Sequence, residues 1–271
     1  MRPIVALLTD FGSQDHYAGA VKGAVLSACR EATVVDIAHD LPPHDVQTGA
    51  YALLAAHRAF PAGTVFLAVV DPGVGSQRRG IALEAGGYFF VGPDNGLFTH
   101  VLAEHAGARV HALTNAGLFR HEVSPVFHGR DVFAPIAGQL AAGLALESVG
   151  PPVADPVLLP EASIRRLAER EWEATVIHVD RFGNLTTSMT RSDLDGILAS
   201  VDADPTQLVV MVGGVVLPLV RTYADLPEGE GCGLLGSSGR LEIAINLGNA
   251  ARRLGAQRGT AVRLRAVPAE G

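Results

Sequence analysis

Three short apolar runs near the N-terminus constrain this chain most, because each is closed by an acidic turn and the runs are separated by helical patterns. PIVALL (3–8) runs into Thr9-Asp10-Phe11-Gly12, TVVDI (33–37) leads to His39-Asp40, and TVFLAVVD (64–71) leads into Pro72-Gly73-Val74-Gly75. Between them, 16–29 carries apolar residues at helical spacing and 46–59 is an Ala-rich helical stretch. The third run is continuously apolar, as a strand covered on both faces must be. Strands alternating with helices predict a mostly parallel sheet. Strands near Gly80–Leu83 and Tyr88–Val91, a helix from about Leu97 to His105, a strand at Arg109–Leu113 and a helix from Val132 to Ala142 continue the pattern.

The texture changes where Pro151, Pro152, Pro156 and Pro160 fall together, which is the signature of a linker. Beyond it the expected strands are 173–179, 208–212, 214–220, 241–245 and 260–267, with little helix. The expected architecture is an α/β domain over 1–160, a mostly parallel sandwich, followed by a smaller, mostly β domain over 170–271.

Composition excludes several function classes. Twenty-one Lys plus Arg against 28 Asp plus Glu give a formal charge of −7, which argues against a nucleic-acid binder. Lys22 is the only lysine, so Schiff-base or general-base lysine chemistry has a single candidate. The longest apolar run, Leu208–Val220, is broken by Gly213-Gly214 and Pro218. A membrane span needs roughly 20 residues, so this run reads as two buried strands joined by a turn. The N-terminal apolar stretch Ile4–Leu8 is shorter than the ~7–15 residues of a signal core. Cys29 and Cys232 match no zinc or disulfide framework. A cytoplasmic protein without membrane contact is expected.

In open parallel sheets, ligands bind at the carboxyl ends of the strands, and the polar residues of this chain bunch there. Gly73-x-Gly75 opens a dinucleotide fingerprint, but position 78 is Arg and a strand follows instead of a helix. No phosphate-binding G-x-x-x-x-G-K-[ST] is present, and Gly236-Ser237-Ser238-Gly239 lacks the spacing of a nucleophile elbow. Asp36, His39, Asp40, His44 and Asp45 follow no metal-ligand spacing, so no metal site is expected. Asp71 is the strongest site candidate, since a carboxylate at a buried strand end must find a partner. Arg78 and His128 are plausible partners: Arg holds an Asp ionised, and His is tunable across neutral pH.

Seven segments, in order, resemble the S-adenosyl-L-methionine (SAM) hydrolases, also called SAM hydroxide adenosyltransferases, which are relatives of fluorinase and chlorinase. They are TDFGSQDHYAGAVKG (9–23), VVDIAHDLPPHDV (34–46), FPAGTVFLAVVDPGVGSQRR (60–79), VGPDNGL (91–97), FHGRDVFAP (127–135), VDRFGNLTT (179–187) and GSSGRLEIAINLGNAA (236–251). The resemblance implies an N-terminal α/β domain, a C-terminal β-barrel-like domain, and a homotrimer with active sites at subunit interfaces. It implies hydrolysis of SAM to adenosine and L-methionine with no cofactor, SAM being the substrate.

By motif, the resemblance makes Asp71, Arg78 and His128 the water-handling set. Fluorinase carries Tyr in place of Asp71, Thr in place of Val74, Tyr-Ser in place of His128-Gly129, and a loop after the third-strand turn for which Arg79–Tyr88 leaves no room. Asp10 matches the carboxylate that takes both ribose hydroxyls, as an acceptor-only group can. Asp15, Asp180, Ser237 and Ser238 match positions near the methionine amine and carboxylate, with Ser238 standing where the halogenases have Arg. Asn184 and Asn246 match adenine-edge positions, and Phe182 and Tyr223 are expected to pack on the purine. His44 stands where fluorinase has an aromatic residue, and Lys22 reads as structural or interfacial. The other readings are a SAM-dependent halogenase and a SAM- or adenosine-binding module with negligible turnover.

Overall fold

The computed structural model describes residues 2–160 and 162–267. The chain divides into two compact units, Met1–Leu159 and Pro160–Gly271.

The first unit is a three-layer α/β sandwich. Its elements are β1 (Ile4–Thr9), α1 (Tyr17–Ala28), β2 (Thr33–Ala38), α2 (Val46–His57), β3 (Val65–Val69), β4 (Gly80–Ala85), β5 (Tyr88–Pro93), α3 (Thr99–Glu104), β6 (Arg109–Ala112) and α4 (Ala134–Ala141). The sheet order is β2-β1-β3-β5-β4-β6. β1 is parallel to β2 and β3, and β3 to β5; β4 runs antiparallel to both of its neighbours. Strand alternation divides the core. Val5 and Leu7 of β1 pack with Val65, Leu67 and the apolar sides of α1 and α4, whereas Ala6 and Leu8 pack with Phe66, Ala68 and Leu53 of α2. α2 starts where Asp45 caps it by accepting from the Thr48 amide at 3.1 Å.

The segment expected to be a free linker is not one. Pro151 accepts from the Ala112 amide, the Val153 amide donates to Val110, and the Val157 and Leu159 amides donate to Asp94 Oδ1 and Thr99 Oγ1, each at 2.8 Å. The prolines are compatible with this docking because a sheet edge does not demand an N–H from every residue.

The second unit contains β7 (Arg165–Ala168), β8 (Glu171–Val179), β9 (Leu185–Thr190), α5 (Arg191–Val201), β10 (Leu208–Val212), β11 (Val215–Pro218), β12 (Gly231–Leu235), β13 (Arg240–Ile245), α6 (Ala250–Leu254) and β14 (Ala261–Ala266). Its strands run in the order β11-β10-β14-β8-β9-β13-β12, with β7 beside β8. A bridge between Leu219 and Gly233 brings the two ends of that order together, giving a nearly closed barrel. Inward residues such as Trp172, Val176, Met189, Val210, Ile243 and Leu264 fill it.

Three expectations are corrected here. The unit is not poor in helix: α5 is an 11-residue helix started by a capping box in which Thr190 and Asp193 bond each other's backbone. The 214–220 strand is shorter and mostly exposed, with Val216 at 59%, because β11 lies at the end of the strand order. β9 and β12 were not expected from the pattern. No helix among the described residues is long and apolar enough to cross a membrane.

Candidate active site

The turn after β3 carries the first functional group. The Val74 amide donates to the Asp71 carbonyl and the Ser76 amide to the Gly73 carbonyl, so the chain doubles back immediately past the strand. Arg78 is thereby returned to Asp71, and its guanidinium grips the carboxylate at both oxygens, Nε to Oδ1 at 2.8 Å and Nη2 to Oδ2 at 2.5 Å. Such a fork is the strong form of an Arg–carboxylate bond. Phe133 lies under the guanidinium, 5.1 Å from ring centroid to Cζ. The side chains of Asp71 and Arg78 are largely withdrawn from water, 5% and 11% exposed.

The third member comes from a distant segment. Arg78 Nη2 lies 2.9 Å from His128 Nδ1. A guanidinium nitrogen only donates, so Nδ1 holds the lone pair and the ring hydrogen of neutral His128 resides on Nε2. Burial, followed by the Arg78 charge, pushes the His128 pKa below its ordinary 6.5, outweighing the attraction of Asp71 and Asp131.

His128 sits at the start of a π-helical turn, Gly129–Phe133, that leads into α4. The loop before it is organised by Asp131, whose side chain is fully buried. Arg130 donates to it from Nε at 2.7 Å and Nη2 at 2.8 Å, the Ser124 amide donates at 2.9 Å, and Arg120 Nε lies 3.4 Å away. Burial alone would raise the Asp131 pKa, but these partners together hold it below the ordinary 3.8. The same loop touches the β3 turn at Gly75. That residue has φ +78°, and a Cβ there would lie 2.7 Å from the Pro125 carbonyl oxygen, so only glycine fits.

Asp71, His128, Gly129 and Val74 line one concave site of about 490 Å³ together with Asp10 and His44. That volume suits a small-molecule ligand. Asp10 Oδ2 accepts from the His44 amide at 2.8 Å, and His44 adopts φ +65°. Aromatic residues missed by the sequence reading form much of the wall: Phe11 and Phe127 meet edge to face at 5.9 Å, and Tyr17 meets Phe127 at 5.4 Å. Both phenylalanines stand inside the motif stretches TDFG and FHGRD, which was the available signal. Asp15 is exposed just before α1 and does not line the site.

The acidic group 36–45 is dispersed into structural roles. Lys22 Nζ donates to Asp36 at 2.6 Å, and His39 Nε2 lies 3.0 Å from the same carboxylate. Asp40 accepts from the Ser13 amide and hydroxyl.

In the second unit, Asp180, Phe182 and Asn184 share the β8–β9 turn. Asp180 accepts from the Phe182 amide at 2.9 Å, the Asn184 amide at 2.8 Å and Asn184 Nδ2 at 3.0 Å, which leaves Phe182 standing out at 75% exposure. Tyr223 donates to Glu242 Oε1 at 2.6 Å. Burial first, then Glu242 and Asp180, pushes the Tyr223 pKa up; burial likewise raises that of Glu242, whose carboxylate faces the Asp180 charge. Glu242 was missed by sequence, although its outward position between core residues Leu241 and Ile243 marked it. Ser237 and Ser238 occupy the β12–β13 turn, closed by the Gly239 amide donating to Gly236. Asn246 Nδ2 donates to the Leu226 carbonyl at 2.8 Å.

Comparison with known proteins agrees with this layout. Residues 5–150 match the SAM hydroxide adenosyltransferase N-terminal domain and residues 174–263 the C-terminal domain of the same family. An (R)-S-adenosyl-L-methionine hydrolase of Thermus thermophilus is 41% identical, over 97% of this chain and 100% of its own length. A fluorinase of Nocardia brasiliensis is 31% identical over 97% of each chain. A crystal structure of an uncharacterized conserved protein from Thermotoga maritima superposes with a TM-score of 0.88 at 34% identity, covering 96% of this chain and 99% of its own. The chain belongs to the SAM hydroxide adenosyltransferase family.

Proposed function

We propose that this chain hydrolyses S-adenosyl-L-methionine to adenosine and L-methionine by in-line attack of water on C5′. The observation that carries the reading is the Asp71–Arg78–His128 chain of hydrogen bonds, whose two ends, Asp71 and His128, stand on the wall of the concave site. Relatives named (R)-S-adenosyl-L-methionine hydrolase, matched over their whole length, support it.

The roles follow from the bonding. Each Asp71 oxygen gives one lone pair to Arg78 and keeps another for a water hydrogen. His128 can take a proton only at Nδ1, which Arg78 occupies, so it orients the water through Nε2–H. Asp71 is therefore the proton acceptor. As the water oxygen bonds to C5′, the C5′–S electrons leave with sulfur as a neutral thioether and the water proton passes to Asp71. The leaving group needs no acid, and the step uses no cofactor. Holding the water in line supplies ~7–11 kcal/mol of the barrier, and the base a further ~10²–10⁴ in rate.

Substrate contacts follow the same logic. Asp10, fixed by the His44 amide, accepts from the ribose hydroxyls. Asn184 and Asn246 are each anchored by one NH₂ hydrogen, to Asp180 and to the Leu226 carbonyl, and offer their amide oxygens to the adenine amino group. Phe182 and Tyr223 pack on the purine. Ser237 and Ser238 take the methionine carboxylate, and Asp180, with Asp15 from outside the cavity wall, adds negative charge for its amine.

Incubation with SAM, followed by chromatography, is expected to give adenosine and methionine in equal amounts. No adenosine above the spontaneous background, or 5′-chloro-5′-deoxyadenosine in the presence of chloride, overturns the reading.

The reading extends to a cytoplasmic homotrimer in which the second unit of one copy completes the site on the first unit of another. In that assembly the exposed Phe182 and Leu247 (83%) of the second unit and Val126 (74%), which lines the concave site, would be covered by the neighbouring copy. Light scattering is expected to give three times the 28.2 kDa chain mass; a monomer at micromolar concentration rejects the assembly.

A further inference from the structure

Where α2 and α3 end, two histidines and a glutamate converge away from the residues that line the concave site. His57 is the last residue of α2 and is wholly buried. Its Nδ1 lies 3.0 Å from the Leu54 carbonyl and 3.3 Å from that of Leu53. Carbonyl oxygens only accept, so Nδ1 carries a hydrogen. Nε2, also buried, has no hydrogen-bond partner, and the nearest charged atom is Glu104 Oε2 at 3.6 Å. The next residue, His105, brings in a second buried Nε2 without a hydrogen-bond partner. One donor atom from each of His57, Glu104 and His105 falls within 4.8 Å of the other two.

This arrangement aims acceptors at one another. A buried imidazole lone pair turned toward a carboxylate is unfavourable unless something positive lies between them. A proton on His57 would answer one pair and leave His105 Nε2 unsatisfied. A single cation answers both imidazole nitrogens and shares Glu104 with Arg58.

The surroundings hold the geometry. Phe66, Tyr88 and Phe90 ring His57 with centroids 5.7–6.4 Å away. The His105 ring stands nearly perpendicular to it, at 85°, in space left by Gly86, where a Cβ would run into the imidazole. Arg58 Nη2, 3.0 Å from Glu104 Oε2, fixes the carboxylate. The Leu53 and Leu54 carbonyls fix the His57 tautomer, as an outer partner does for a metal-bound imidazole.

We propose that His57, Glu104 and His105 form a binding site for one divalent transition-metal ion of the zinc class. Two imidazole nitrogens and one carboxylate oxygen are the donors that such an ion prefers. A tetrahedral ion holds its donors roughly 3.3 Å apart, so inward movements of about 1 Å complete the set. Water reaches the fourth position past Glu104, whose side chain is 26% exposed. The ion staples the end of α2 to the end of α3, away from the reaction. The ligands are too far apart in sequence to form a recognisable motif.

The test uses the full chain, stripped with EDTA and dialysed against Zn²⁺. One Zn²⁺ per chain is expected, with a roughly micromolar or tighter dissociation constant and a higher Tm than in EDTA. Glu104→Gln and His105→Gln are each expected to weaken binding at least ~10-fold and to abolish most of the zinc-dependent Tm rise, leaving SAM hydrolysis unchanged. Should His105→Gln fail to fold, Glu104→Gln alone carries the comparison. Zinc bound with unchanged affinity in a folded variant, or no Tm rise with wild type at millimolar Zn²⁺, overturns the proposal.

Discussion

Asp71→Asn is expected to lower kcat for SAM hydrolysis by at least ~10², while the dissociation constant for SAM moves less than about threefold. Asn keeps the shape of Asp and one acceptor for Arg78, but it cannot accept the water proton. The loss therefore belongs to the transition state rather than to binding, and appears in kcat rather than in KM. Losing one arm of the Arg78 fork also leaves a buried guanidinium hydrogen unanswered, so a Tm decrease accompanies the kinetic loss. Equilibrium binding of SAM to the variant separates the two effects. A folded Asp71→Asn enzyme that binds SAM and turns over at the wild-type rate removes Asp71 from the mechanism.

The largest stability effect is expected at Asp131. Its carboxylate is wholly buried and gathers Arg130, Arg120 and the Ser124 amide. Asp131→Asn strands two guanidinium groups that are one-third and one-half exposed, so the cost is below that of breaking a fully buried pair, about 2–3 kcal/mol. For a unit of this size that is a Tm decrease of roughly 4–12 °C. Activity falls too, because the loop that Asp131 ties carries His128. The pH dependence has a definite sign. The native pKa lies below the ordinary 3.8, so the contribution is complete above that value and is lost as pH falls through the depressed one. Wild type and variant should thus differ in Tm at pH 7 and converge in strong acid. An equal Tm at pH 7 contradicts the assignment.

The first unit was legible because its strands are continuous apolar runs and its helices keep a regular spacing. The second hid its strands behind polar residues. β9 reads LTTSMT, yet Thr186, Thr187 and Ser188 are buried, with Thr187 Oγ1 donating to the Leu241 carbonyl. No hydrophobic alternation marks such a strand. α5 could have been found from its Thr190–Asp193 capping box. The prolines near 155 read as a free linker because composition reports the missing N–H groups, not the edge that tolerates them. At the site, strand-end position picked out Asp71, charge and titration chemistry offered Arg78 and His128 as its partners, and the family motifs assigned the three to one set. Asp131 was not legible because its importance lies in complete burial among Arg130, Arg120 and the Ser124 amide, and for Glu242 the outward position was visible but the partner, Tyr223, was not.

The Gly75–Pro125 approach bears on how this site can evolve. A side chain at 75, or an inserted residue beside it, cannot be accepted until the 124–128 loop has moved, and that loop cannot move without carrying His128. The two segments must therefore change as a pair, so single substitutions tried at either one understate the range of sites that the fold can hold.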